Sequence, residues 1–99
     1  MLNITKTIEN GQGVLALEGR LDTMSAPELE QVMRNMLPDL TALTLDFSKL
    51  DYISSAGLRV LLSAQKQMNQ QGSMTLIHVN ETIMEIFEVT GFIDILTIA

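Results

Sequence analysis

Asp46-Phe47-Ser48-Lys49-Leu50-Asp51-Tyr52-Ile53-Ser54-Ser55-Ala56-Gly57-Leu58-Arg59-Val60-Leu61-Leu62 joins two apolar patterns of different period. Entering it, Ala42-Leu43-Thr44-Leu45-Asp46-Phe47 crowds apolar residues together, as in a strand covered on both faces. Leaving it, Leu58, Leu61, Leu62 and Met68 mark a helix that ends at Gly72. The chain thus leaves a strand, passes residues 50–55 as a turn, and brings two serines to a helix start. In a parallel sheet that point lies beyond the carboxyl ends of the strands, where open α/β sheets keep their sites.

The pattern repeats outward from this segment. Residues 2–7 and 14–19 flank Gly11-Gln12-Gly13 and read as a hairpin. Ser25-Ala26-Pro27-Glu28 then has the spacing of a capping box, with proline in the first turn. Leu29, Val32, Met33, Met36 and Leu37 form one helical face, and Pro38 stops it. Downstream, Met74-Thr75-Leu76-Ile77-His78-Val79 reads as a strand. Asn80 opens a third helix with Ile83, Ile86 and Phe87, closed at Thr90-Gly91. Residues 93–98 supply a last edge strand. The predicted order is ββαβαβαβ, an α/β fold whose mixed sheet is mostly parallel, with the first strand antiparallel.

Composition narrows the function. Ninety-nine residues, 46% apolar and 18% charged, fit one domain spanning 1–99. There is no cysteine, and His78 is the lone histidine, which excludes disulfides, thiolate chemistry and any site needing two imidazoles. The first residues lack a basic start followed by an apolar run, and no stretch is long enough for a membrane span. A cytoplasmic location without membrane insertion is expected. Twelve acidic against six basic residues give a net charge of −6, which disfavours nucleic acid and anionic membranes as direct partners. Solubility alone accounts for such acidity, and it remains compatible with a basic protein partner. The seven methionines suit gap-filling in a core, and any exposed ones suit an adaptable binding face.

The serines admit two readings. A helix N-terminus favours an anion, which suits a phosphate carried on serine, and small Ala56 and Gly57 would let a partner's backbone approach. Alternatively the serine is an N-cap, and Ala56 and Gly57 allow close helix-on-sheet packing. The residues by themselves favour the second.

Residues 52–62, Tyr-Ile-Ser-Ser-Ala-Gly-Leu-Arg-Val-Leu-Leu, resemble the signature of bacterial anti-sigma-factor antagonists of the STAS type. Gly19-Arg20-Leu21-Asp22 is similar to that family's Gly-x-Leu-Asp element. Leu43-Thr44-Leu45-Asp46-Phe47-Ser48 is similar to its central strand, and Ile86-Phe87-Glu88-Val89-Thr90-Gly91-Phe92 to its late helix and closing turn. The resemblance implies a phosphorylatable partner-switching module rather than an enzyme. Alignment on Gly57-Leu58 puts the phosphoacceptor at Ser55, with Ser54, in place of the family's aspartate, as the alternative. Implied partners are an anti-sigma factor that is also a serine protein kinase, and a metal-dependent serine phosphatase. Asp22, Ser54, Ser55, Ala56, Gly57 and Arg59 would meet the partner. Asp22 serves equally as a turn or capping residue ahead of Ser25. Arg59 most simply lies on a solvated helix face, or else pairs with a carboxylate or, after modification, a phosphate. A STAS docking subunit of a membrane transport or secretion assembly, without a phosphocycle, is the other binding-class reading.

An enzyme fits less well. His78 reads as a structural histidine, and Asp46 and Asp51, flanking the loop, as turn residues in preference to metal ligands. No Gly-x-Ser-x-Gly elbow accompanies a Ser-His-Asp set, and no Walker-type loop is present, so neither a metal nor a cofactor is expected.

Overall fold

The computed structural model describes residues 2–99. Strand β1 (Leu2–Glu9) pairs antiparallel with β2 (Gln12–Leu21). The tight turn between them is Asn10-Gly11, both at positive φ (51° and 79°), as a two-residue hairpin requires. Gln12 and Gly13, expected in the turn, already belong to β2. Gly13 packs closely under α1 and the turn after it: a Cβ there would stand 2.7 Å from Leu40 Cδ1 and displace that side chain.

Helix α1 (Ala26–Met36) buries Leu29, Met33 and Met36, and a 3-10 turn over Leu37–Asp39 holds Pro38. Strand β3 (Ala42–Ile53) runs parallel to β2 and is twice as long as its apolar core, because residues 50–53 continue the strand instead of turning. Two irregularities in register let it do so. Helix α2 (Ser55–Gln71) follows, and Gly72 closes it. That glycine has an extended φ of 171°, so its need is steric: a Cβ would lie 1.7 Å from the Thr41 carbonyl oxygen. Strand β4 (Ser73–Ile77) is parallel to β3, and α3 (Glu81–Thr90) follows. Asn80 caps α3, its Oδ1 accepting from Ile83 N at 2.8 Å while its Nδ2 donates to Leu50 O at 2.9 Å. Gly91, at φ 80°, ends it in the left-handed conformation.

The expected last strand over 93–98 does not form. A 3-10 turn occupies Phe92–Asp94, and a single parallel bridge, Leu76 to Ile98, extends the sheet beyond β4. Ile93 and Ile95 remain exposed while Leu96 enters the core and Ile98 packs at its margin, so the run is anchored at single residues rather than as an alternating strand. The order is therefore ββαβαβα on a four-stranded sheet, β1-β2-β3-β4.

Every crossover steps in the same direction along that sheet. Right-handed crossovers then place the helices on one face. Burial in β3 alternates accordingly: Leu43, Leu45 and Phe47 are buried, whereas Ala42, Thr44 and Asp46 are only half-buried. The strand is covered on one face, not two. Leu15, Leu45, Leu61, Met68 and Leu76 fill the helix-facing core, and Phe47 meets Phe87 of α3 with ring centroids 6.5 Å apart. Val32 and Ile86, expected inside, sit half-buried at its margin. No helix among the described residues is long and apolar enough to cross a membrane.

Leu61 has no exposed surface at the centre of α2. Leu61→Ala should cost ~2–5 kcal/mol of unfolding free energy, read as a lowered denaturant midpoint with a similar slope. An unchanged midpoint would contradict the docking of α2 on the sheet.

Candidate functional site

Strands β2 and β3 finish side by side, with Arg20 opposite Tyr52 and Leu21 opposite Ile53. A single residue, Ser54, then connects β3 to α2. Its N–H donates to Leu21 O at 2.8 Å, its carbonyl accepts from Leu58 N at 2.9 Å, and its extended backbone (φ −99°, ψ 175°) turns the chain into the helix. Ser54 Oγ accepts from Gly57 N at 3.4 Å, a long, weak cap. Ser54 is thus the N-cap, half-buried, with its backbone groups both used.

Ser55 begins the helix and is exposed. Ala56 is half-buried, and Gly57 is buried against the sheet. A Cβ on Gly57 would stand 2.7 Å from Leu21 Cγ and 2.8 Å from Ile53 Cγ1. The glycine therefore sets how closely α2 approaches the strand ends. Expected as part of the partner-facing surface, it faces inward instead.

Asp22 follows β2 directly. Its Oδ1 accepts from Met24 N and Ser25 N, each at 3.1 Å. The buried Ser25 hydroxyl accepts from Asp22 N at 2.9 Å, and reaches Arg20 O at 2.8 Å and Asp22 Oδ1 at 3.2 Å. The capping box read from Ser25 and Glu28 is absent: Ser25 has helical dihedrals and makes no side-chain cap, because its hydroxyl is committed to the turn behind it. The aspartate, not the serine, ties the amides ahead of α1. The Ser25 amide holds the Asp22 carboxyl below the usual carboxylate range, helped by the Ser25 hydroxyl and the Met24 amide and opposed by burial.

Two features escaped the sequence. Arg20 lies over the Tyr52 ring, 4.5 Å from its centroid, with Nε 3.9 Å from Asp22 Oδ2. This pairing depends on a register that follows two irregularities in β3, which periodicity does not reveal. Met24, 88% exposed, projects from the Asp22 turn. An apolar residue amid turn-forming neighbours was the available signal.

Arg59 is exposed one turn into α2. It lines a groove between α1 and α2 with Thr23, Pro27, Glu30, Ala56 and Val60. Asp22, Ser54, Ser55, Ala56 and Arg59 therefore share one end of the sheet.

The flanking residues lie elsewhere. Asp46 Oδ1 accepts from Ser48 N at 2.9 Å, which lowers its carboxyl pKa and holds the irregular part of β3. Asp51 is an exposed strand residue rather than a turn residue. His78 is exposed just after β4 at a φ of 59°, outside the strand it was assigned to. Ile77 pairs with Asp46, and Ser54 lies eight residues further on, about 20 Å away once the two extra residues at the register irregularities are discounted. His78 cannot serve either site serine as a base.

The Asp22 turn has a pH signature. A carboxyl pKa depressed in the folded state contributes stability that is complete above the unfolded carboxylate range and lost as pH falls through the folded value. The stability difference between the parent and Asp22→Asn should be constant above about pH 5 and shrink steadily in more acid solution. Denaturant midpoints measured across that range test it, and a pH-independent difference would remove the charge from the turn's role.

Residues 4–97 match the family model described as "Mlab, STAS domain". BtrV of Bordetella bronchiseptica, named as a candidate anti-sigma factor antagonist, is 34% identical over 100 residues, covering 99% of this chain and 86% of that protein. The anti-sigma-B factor antagonist of Staphylococcus aureus is 30% identical over 97 residues, covering 96% and 90%. The Bacillus cell fate determinant SpoIIAA, solved in its phosphorylated form, shares the fold with a TM-score of 0.75 at 17% identity, covering 100% and 91% of the two chains. The family match along almost the whole chain, the ββαβαβα order and the two relatives agree: this chain belongs to the STAS-domain family of anti-sigma factor antagonists.

Proposed function

We propose that this chain is a phosphorylation-switched binding module, not a catalyst, and that Ser55 is its phosphoacceptor. The observation that carries the reading is the unequal standing of the two serines. Ser54 is half-buried, and its N–H, carbonyl and hydroxyl are each hydrogen-bonded. Ser55 is exposed on the first turn of a 17-residue helix whose first turn has no acidic residue. A kinase can reach Ser55 without dismantling the junction.

Unmodified, the chain docks an anti-sigma factor that is also a serine protein kinase, through Asp22, Ala56, Arg59 and the two serines, and so frees the kinase's sigma factor or other regulator. Gly57 contributes only by setting the helix position. The kinase then moves the γ-phosphoryl group of ATP to Ser55 Oγ. ADP leaves, and the hydroxyl proton is released. The product carries about −1.5 to −2 additional charges at that surface. In the free protein the helix N-terminus and solvent accommodate them, so the fold persists. In the complex they are desolvated beside the Asp22 carboxylate. A penalty of ~2.8 kcal/mol would weaken binding about a hundredfold. A metal-dependent serine phosphatase hydrolyses the phosphoester and restores the docking form. The names of the antagonists from Bordetella and Staphylococcus support the anti-sigma partner, and the phosphorylated form of the Bacillus relative supports the phosphocycle.

Incubation with the kinase and ATP, followed by mass spectrometry and pull-down, tests the scheme. Ser55→Ala should retain the kinase and take no phosphate, while Ser55→Asp should bind poorly. Phosphate on Ser54 would move the acceptor by one residue. Intact binding with no phosphate on either serine would replace the switch with a docking subunit of a transport or secretion assembly.

A further inference from the structure

Ser55 and Arg59 stand four residues apart in α2, so their side chains emerge on the same helical face one turn apart. Both are exposed. The ion pairs formed among the described residues join Arg20 to Asp22 and Arg34 to Glu30, and neither involves Arg59. Its other charged neighbour in the groove, Glu30 of α1, is thereby already engaged by Arg34, 3.7 Å away. Arg20 is occupied in the same way, stacked on Tyr52 and beside Asp22. Of the cations at this end of the sheet, Arg59 is the one with no partner of its own and the one in register with Ser55.

We infer that Arg59 is the intramolecular receptor of the Ser55 phosphate, and that phosphorylation changes the docking face twice: it adds a dianion and withdraws the guanidinium. This rests on Ser55 being the acceptor and adds what the modified residue does. Before modification, Arg59 borders the groove with Thr23 and Pro27, free to meet a carboxylate on the partner. Afterwards the guanidinium folds one turn back along α2 onto the phosphate oxygens, which match its planar donor fork. The helix itself does not rearrange, because Gly57, Leu58 and Leu61, which fix it to the sheet, lie on another face. The charged groups around the phosphate are then Arg59 on its own helix, Asp22 beyond the end of β2 and Glu30 across the groove, while Arg20 is held over Tyr52 on the open face of the sheet.

The test needs no kinase. Phosphoserine is installed at position 55 during translation by an expanded genetic code, and the phosphate is titrated by phosphorus NMR at low salt. A paired cation favours the dianion and lowers the second phosphate pKa. Arg59→Gln should raise that value by about 0.3 unit, Arg59→Lys should keep at least half of the lowering, and 1 M salt should erase the difference. Circular dichroism confirms that each variant is folded. Identical titrations for the parent and Arg59→Gln, or the same shift from Arg20→Gln in place of Arg59→Gln, would overturn the assignment. A kinase that leaves Ser55 unmodified would instead defeat the proposed switch and leave this measurement untouched.

Discussion

The 2.8 Å hydrogen bond from Ser54 N to Leu21 O fastens the start of α2 to the end of β2 through a connection one residue long. Such a connection has no slack. Leu21 and Ile53 are paired in register, and Gly57 packs onto both where no Cβ would fit. Those contacts fix the height of α2 above the sheet, and the same bond places Asp22, one residue beyond Leu21, beside the helix start. A slip of one residue in β3 would reverse which side chains face the helices and separate all of these groups. The Asp22 turn, the outward aim of Ser55 and the groove beside Arg59 therefore depend on the closeness of two strand ends.

Charge at this end of the molecule is held in local compensation. Asp22 is stabilised by two backbone amides and a hydroxyl, with Arg20 nearby, so its carboxylate is preorganised without being buried. Arg20 in turn rests on Tyr52. The net charge of −6 makes further negative charge tolerable to solubility and costly to an interface. A phosphate on Ser55, as proposed, would therefore bear on association rather than on folding. Exposed ion pairs contribute little to stability, so their arrangement can answer to recognition instead.

The helices and most strand cores were legible because burial imposes period: Leu29, Met33 and Met36 on α1 and Leu58, Leu61 and Met68 on α2 are spaced by one face. Asn80 was legible as a cap because asparagine directly ahead of an apolar helical pattern is a favoured N-cap, and its Oδ1 does accept from Ile83 N. Ser25 was not, since its hydroxyl had a choice between the helix ahead and the Arg20 carbonyl and Asp22 amide behind, and that choice is tertiary. The continuation of β3 through residues 50–53 was hidden for a similar reason. Its irregularities break the alternation, and pairing with β2, not propensity, keeps those residues extended. The final apolar run read as a strand because it is apolar, yet β4 offers it only the bridge at Leu76. That two serines stand at the start of α2 was also legible. Which serine is capped and which is free required the geometry.

That division of labour between the serines follows from helical geometry. A residue at an N-cap must turn its side chain toward the amides it serves, and the next residue points away from them. In a helix lying on a sheet, positions 57, 58 and 61 face the strands, so 55 and 59 fall on a surface that packing does not claim. Fold-bearing and solvent-facing residues thus interleave within five positions. Under the proposed switch, a buried acceptor would have to open the core for each round of modification, and a loop acceptor would be poorly fixed in space. The first turn of α2 avoids both: its backbone is rigid because Gly57 and Ser54 pin it, and its outer side chains are free because those pins lie inward.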